Sequence, residues 1–182
     1  MLAKFTCAAL AAGAIIASGA VCAAERYDFG RPATPAEIAG WDIDASPDGA
    51  GLPPGHGDVR QGEAIFTAKC ASCHGARGEG KPLTRLAGGI GTLRDKKPEK
   101  TVGSYWPYAT TLFDYVRRAM PLNAPQSLTP DEVYAVSAYV LFLNGIIPQD
   151  TTLNADTLAK IKMPNRDGFV RAYPTLGASV KP

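Results

Sequence analysis

Three stretches of the chain repeat apolar residues at helical spacing. Gly62, Ile65 and Phe66 share one face, Leu112, Val116 and Ala119 share another, and Val133, Val136 and Val140 form a third, thickened by Tyr139, Phe142 and Leu143. Each stretch carries helix-end signals. Asp58 with Gln61 three residues on reads as a capping box and predicts a helix over about 59–70. Gly62 inside it costs ~1 kcal/mol of helix propensity, which predicts another helix approaching closely at that point. Thr110 or Thr111 opens a helix to about Ala119, with Arg117 and Arg118 suiting its C-terminal end and Pro121 stopping it. Thr129-Pro130-Asp131-Glu132 is the strongest start in the chain and predicts a helix to Leu143, closed by Asn144-Gly145.

Between and around these helices the pattern breaks. Residues 25–56 are rich in Pro, Gly, Asp and Ala, and predict an extended arm with one short helix, 35–40, started by Thr34-Pro35-Ala36-Glu37. Gly75, Gly78, Gly80, Pro82, Gly88, Gly89 and Gly91 make a loop whose backbone can follow a flat surface closely. Residues 146–182 hold four prolines, and Thr152–Lys162 could form one helix. The expected fold class is all-α.

The 182 residues suffice for one domain, and 46% hydrophobic with 20% charged residues is a globular composition. Met1–Ala24 reads as an export signal: Lys4 is its positive end, 5–20 is an uncharged apolar run, and Val21-Cys22-Ala23-Ala24 suits cleavage. A retained membrane anchor is the alternative, although the run is short for a span. Val21 is a poor residue before a lipidated cysteine, which argues against a lipoprotein at Cys22. Cleavage would remove Lys4 from 19 basic residues against 17 acidic ones and leave a net charge of +1. That near-neutrality argues against nucleic acid as a partner and against long-range charge steering.

Cys70-Ala71-Ser72-Cys73-His74 carries the chemistry. C-x-x-C-H is the attachment spacing for a c-type haem: two thiols reach the two vinyl groups of one porphyrin edge, and the following histidine lies under the iron. A zinc site or redox dithiol is the competing reading, and a zinc site has too few partners because Cys7 and Cys22 leave with the signal. Covalent haem acquired after export fits a periplasmic protein with one haem c. The sixth iron position falls to Met120, on a helix stop before Pro121, ahead of Met163; His/Met ligation raises the potential. His56, in Pro54-Gly55-His56-Gly57, reads as a solvated loop histidine. Tyr105-Trp106-Pro107-Tyr108 is an aromatic cluster, and Tyr105 and Trp106 are candidates to donate to the haem propionates, with plain core packing as the alternative. Arg94, Lys96, Lys97 and Lys100, mixed with Asp95 and Glu99, read as a solvated loop or else a docking rim.

The haem motif after a Gly/Phe helix, the Met-Pro turn and the capped aromatic C-terminal helix together resemble class I cytochrome c. That resemblance implies a crossing of the first and last helices at Gly62 and Phe66 against Tyr139 or its neighbours. It also implies that a proline carbonyl holds the other nitrogen of His74, with Pro82 as the matching position. A narrower resemblance covers most of the chain after the signal. Trp41-Asp42-Ile43-Asp44, residues 48–54, residues 101–121 and Pro164-Asn165 to Gly168-Phe169 are similar to the SoxD family, cytochrome subunits of the sulfane dehydrogenase SoxCD. SoxD proteins often carry a second haem domain, and this chain has one C-x-x-C-H. The haem partner of a sulfite dehydrogenase (SorU-like) is the neighbouring possibility.

These readings predict a class I cytochrome c domain at 57–146 between an arm at 25–56 and an extension at 147–182. A His/Met iron leaves no site for substrate, so the chain is expected to move single electrons and not to be an enzyme on its own. The resemblance implies a molybdenum-cofactor partner of the sulfite-oxidase type (SoxC-like or SorT-like), with a downstream cytochrome c or oxidase, and it favours partner contact by the two extensions. The competing functions are a free carrier serving a terminal oxidase or reaction centre, and a haem enzyme or gas sensor with an open iron.

Overall fold

Capping residues and apolar stripes produce the helices where the pattern places them. The computed structural model describes residues 29–170 and residue 172, so the export signal read at 1–24 lies outside the described residues. The chain divides into two units, Met1–Pro35 and Ala36–Pro182; in the first, 29–34 carry no regular element. The second contains the helical core.

Helix α1 is Pro35–Trp41 and buries no residue. Strand β1, His56–Asp58, leads into α2, Val59–Lys69, where Asp58 and Gln61 form the predicted capping box. The one-turn helix α3, Ala71–His74, follows at once. After the glycine loop come α4, Val102–Tyr105, and α5, Ala109–Ala119. Helix α6, Pro130–Leu143, has the Thr129/Glu132 capping box and ends at Asn144, with Gly145 at φ +66°. The short α4 was not foreseen; Thr101 and Ser104 cap it reciprocally, and the sequence shows only a Thr–Ser pair there.

The core is built by α6, which buries every residue from Val133 to Leu141. Helix α2 crosses it where Gly62 has no side chain: a Cβ there would overlap the Ala135 carbonyl and come within 2.8 Å of Tyr139 Cβ. One turn on, Phe66 meets Tyr139 with ring centroids 5.3 Å apart and planes at 56°. The close approach compensates the propensity cost of Gly62 by burying both faces. Across α6, Phe113 of α5 packs on Tyr134 at 4.5 Å.

The extension departs from its prediction. No helix spans 152–162. Thr152–Asn154 forms strand β2, antiparallel to β1 with Gly57 opposite Leu153, and Ala155–Leu158 forms the one-turn α7, capped by Asn154. Leu153, Leu158 and Met163 are all buried in the main core. Burial of those three apolar residues outweighs the weak helix propensity of a Thr- and Asn-rich segment. The described part of the extension therefore packs on its own chain.

The arm is likewise held from residue 43 onward. Ala45 N–H donates to Asp114 Oδ1 at 3.0 Å, and Arg118 bridges Asp44 at 2.6 Å and Asp114 at 3.0 Å. Arg117 donates to the Ile43 carbonyl at 3.2 Å, and Tyr134 Oη–H to the Pro53 carbonyl at 2.8 Å. No described helix is long and apolar enough to cross a membrane.

Candidate functional site

Cys70 is the hinge between α2 and α3. Its N–H closes α2 on the Phe66 carbonyl at 2.8 Å, while its own carbonyl accepts from Cys73 N–H at 3.1 Å and His74 N–H at 3.0 Å. That single helical turn puts Cys70, Cys73 and His74 at i, i+3 and i+4, on one face. Both thiols are free and half-buried. Burial pushes the Cys70 thiol up to about 11, against the opposing pull of the Lys69 ammonium, so at neutral pH it is a protonated thiol.

Gly75, at φ +83°, ends the turn and sends the chain into the glycine loop. Gly80 N–H donates to the His74 carbonyl at 2.7 Å, and Leu83 N–H to the Cys73 carbonyl at 2.9 Å. His74 Nδ1 then donates to the carbonyl oxygen of Thr84 at 2.7 Å. A carbonyl only accepts, so the proton is on Nδ1 and the Nε2 lone pair is free for a metal. The bond expected at Pro82 thus belongs to Thr84. Lys81 N–H donates to the Leu83 carbonyl at 3.0 Å and closes a tight turn around the exposed Pro82, which delivers the Thr84 carbonyl to the ring.

The loop continues under a clamp that the sequence did not announce. Leu86 and Ala87 N–H both donate to the Gly78 carbonyl, at 2.8 and 3.0 Å. Asn144, read as a helix stop, turns its side chain into the protein: Nδ2 donates to the Leu86 carbonyl at 3.1 Å and Oδ1 accepts from Gly88 N–H at 3.0 Å. An asparagine closing the last helix, with a glycine loop elsewhere in the chain, was the only signal available for this role.

Met120 closes α5, with its N–H on the Val116 carbonyl at 3.1 Å, and its half-buried side chain lies at the core's edge. Met163 is 1% exposed and fills the core, the ordinary use of a methionine. His56 is exposed and begins β1, where its N–H donates to Asp131 Oδ1 at 2.8 Å.

Tyr105 and Trp106 are both half-buried. The Tyr105 ring meets Phe169 edge-on at 5.2 Å and lies under Lys100 Nζ at 5.0 Å, and its carbonyl accepts from Asn165 Nδ2 at 2.8 Å. Trp106 stands edge-on to Tyr115 at 5.8 Å. In the basic loop, Glu99 pairs with Arg85 at 2.6 Å, which leaves Arg94, Lys96 and Lys97 on the exposed side.

These residues fit a haem. Two thiols outside any disulfide and a histidine with a free Nε2 share one face, and Leu83 and Ile90 in the loop after His74, with Leu122 after Met120, are 45–67% exposed. Among the described residues, no three His, Cys, Asp or Glu side chains gather as a zinc site would need.

A family model described as cytochrome c matches residues 59–144. A chain of the sulfane dehydrogenase SoxCD from Paracoccus pantotrophus, known from a crystal structure, is 42% identical, with a TM-score of 0.75 over 86% of this chain and 80% of that one. The protein belongs to the class I c-type cytochromes. Among curated proteins none matches. This cytochrome is an electron-transfer protein by family, and covalently bound haem c goes with that membership. The resemblance to SoxD is borne out, as is the helical fold with its Gly62/Tyr139 crossing.

Proposed function

We propose that this cytochrome is a periplasmic, mono-haem electron acceptor for a molybdenum-cofactor dehydrogenase of the sulfite-oxidase type that oxidises a reduced sulfur compound. Cys70 and Cys73 would hold the porphyrin through thioether bonds, and His74 Nε2 and Met120 Sδ would be the iron ligands. Bound haem supplies a one-electron ferric/ferrous couple. The chain's own work is to fix the two ligands, exclude water from them and present an edge to the donor. The observation that carries the haem reading is the His74 Nδ1–Thr84 bond on the same turn as both thiols. The 42% identity over 86% of the chain supports the choice of donor.

The reading is tested on the exported full-length protein. Haem should survive acid-acetone extraction and stain on a denaturing gel, and the cytochrome should be reduced by sulfite or sulfane sulfur in the presence of the molybdenum enzyme. Haem lost on denaturation would defeat the attachment at Cys70 and Cys73. A second reading, a free carrier serving an oxidase or reaction centre, is favoured by one observation: the extension folds onto its own core through Leu153, Leu158 and Met163. Reduction that saturates only at high cytochrome concentration, with no complex isolable, would support it.

A further inference from the structure

The group that orients His74 is a backbone atom, the Thr84 carbonyl oxygen, 2.7 Å from Nδ1. No side chain at position 84 makes that bond. Its length and direction therefore depend on what holds the loop: the Gly78 carbonyl, which accepts from Leu86 and Ala87 N–H, and the side chain of Asn144. This residue is 7% exposed. Its carboxamide donates to the Leu86 carbonyl at 3.1 Å and to the Val140 carbonyl at 2.9 Å, and accepts from Gly88 N–H at 3.0 Å. Both Nδ2 protons and Oδ1 are thus used, and they join the last turn of α6 to the loop two and four residues beyond Thr84. Thr101 Oγ1 ties the same loop again, donating to the Gly88 carbonyl at 2.6 Å. The space for the carboxamide comes from Gly103 of α4, where an added Cβ would overlap Oδ1 and lie 2.5 Å from Asn144 Cγ.

We infer that Asn144 is a positioning residue for the iron. By pinning residues 86–88 it holds the Thr84 carbonyl on His74, and so sets how strongly that imidazole donates to the metal. The inference rests on the reading of His74 as the iron ligand. An Nδ1–H···O=C bond makes the imidazole more basic and favours ferric iron. Loosening the loop weakens that bond and favours ferrous iron, so the midpoint potential rises. A buried amide that served only to stop α6 would change stability and leave the potential alone.

Two substitutions reach the carboxamide by different routes. Asn144→Ala removes it, and Gly103→Ala displaces it while leaving residue 144 intact. In the full-length holoprotein, each should raise the midpoint potential above the parent's and speed solvent exchange of the His74 Nδ1 proton followed by NMR. The red-edge absorption band of methionine ligation should remain in both. A lower melting temperature with unchanged potential and unchanged Nδ1 exchange in Gly103→Ala would overturn the inference, even if Asn144→Ala fails to fold. A parent protein whose iron shows no imidazole ligand would overturn the reading of His74 beneath it, a result separable from the first because it appears before any substitution is made.

Discussion

Gly62 of α2 lies so close to Ala135 of α6 that a methyl group on Gly62 would overlap the Ala135 carbonyl. The obstacle is backbone, not the end of a flexible side chain, so the helices must part to admit it. Overpacking of this kind costs ~1–3 kcal/mol, against which the better helix propensity of alanine returns less than ~1 kcal/mol. Gly62→Ala should therefore lower the denaturation midpoint, and Gly62→Val should lower it further. Equilibrium unfolding in guanidinium, followed by tryptophan emission and the haem band together, reads both. A stability gain in Gly62→Ala would mean that the helices do not cross here.

Met120 and Met163 part company in the structure. Met120 sits at the end of α5 with a half-exposed side chain, while Met163 is 1% exposed inside the core. Met120→Ala should abolish the red-edge charge-transfer band of the ferric protein and lower the potential. Met163→Leu keeps the volume and should cost less than about 1.5 kcal/mol, with band and potential unchanged. Met163→Ala should cost about 2–5 kcal/mol by opening a cavity. Loss of the band in Met163→Leu would move the ligand to that residue, and fast carbon monoxide binding by the parent would point to an open iron.

What could be read in advance divides along physical lines. Helix starts written in side chains, Asp58 with Gln61 and Thr129 with Glu132, appear where expected because a cap is a local contact between near neighbours. The β1–β2 ladder could not be read: each strand is three residues long, and Gly57 and Leu153 meet only after the whole helical core intervenes. Within the site, the three residues of the motif lie together because one helical turn places them. The carbonyl that holds His74 was expected at Pro82 and lies two residues on, since every residue has a carbonyl and only the turn around Pro82 selects Thr84. Asn144 was visible as a helix stop, but the direction of its side chain depends on the room left by Gly103.

Glu132 joins two helices. Its carboxylate accepts from Lys69 Nζ at 2.8 Å, linking α6 to the end of α2, and from Thr129 N–H at 2.8 Å. The hydrogen bond from Lys69, then that from Thr129, hold its carboxyl below the usual value. A depressed folded-state value means stability that is present above the unfolded carboxylate range and is lost as pH falls through the folded value. Glu132→Gln keeps the cap and removes the ion pair. Both partners are partly exposed, so the loss at neutral pH should be about 0.5 kcal/mol. The gap between variant and parent should close on acidification and narrow in high salt. A gap that stays constant from pH 7 to pH 3 would show that the pair adds nothing through its charge.

Trp106 is the candidate donor to a haem propionate. Its ring stands edge-on to Tyr115, and its indole N–H has no hydrogen-bond partner among the described residues. A half-buried indole usually finds an acceptor, and a haem propionate is the one this fold would bring. Trp106→Phe should therefore shift the potential and change its dependence on pH, with little effect on the red-edge band. Potentials that coincide with the parent's at every pH would leave Trp106 as core packing only.

The arm and the extension now make opposite predictions about truncation. Helix α1 buries nothing, and Ile38 and Trp41 are 53% and 81% exposed. Removing residues 25–41 takes no described side chain out of the core and spares the Asp44 and Ala45 contacts with α5. The trimmed cytochrome should keep its spectrum and melting temperature. Ending the chain at Gln149 instead removes Leu153, Leu158 and Met163, the partner strand of β1, and the Asn165 bond to the Tyr105 carbonyl. That form should be destabilised by several kcal/mol, on the order of 2 kcal/mol for each large apolar side chain lost. Stability is thus assigned to the extension, while Ile38 and Trp41 stay exposed on the arm, where the proposed donor contact can be tested. Trp41 is bulky and uncharged, and a near-neutral carrier has little long-range steering with which to find its partner. The decisive comparison is the rate of sulfite- or sulfane-driven haem reduction at limiting cytochrome, full-length against a form lacking 25–41. A slower rate with an unchanged melting temperature places the donor's contact on α1. Equal rates would remove α1 from the interface and strengthen the free-carrier reading.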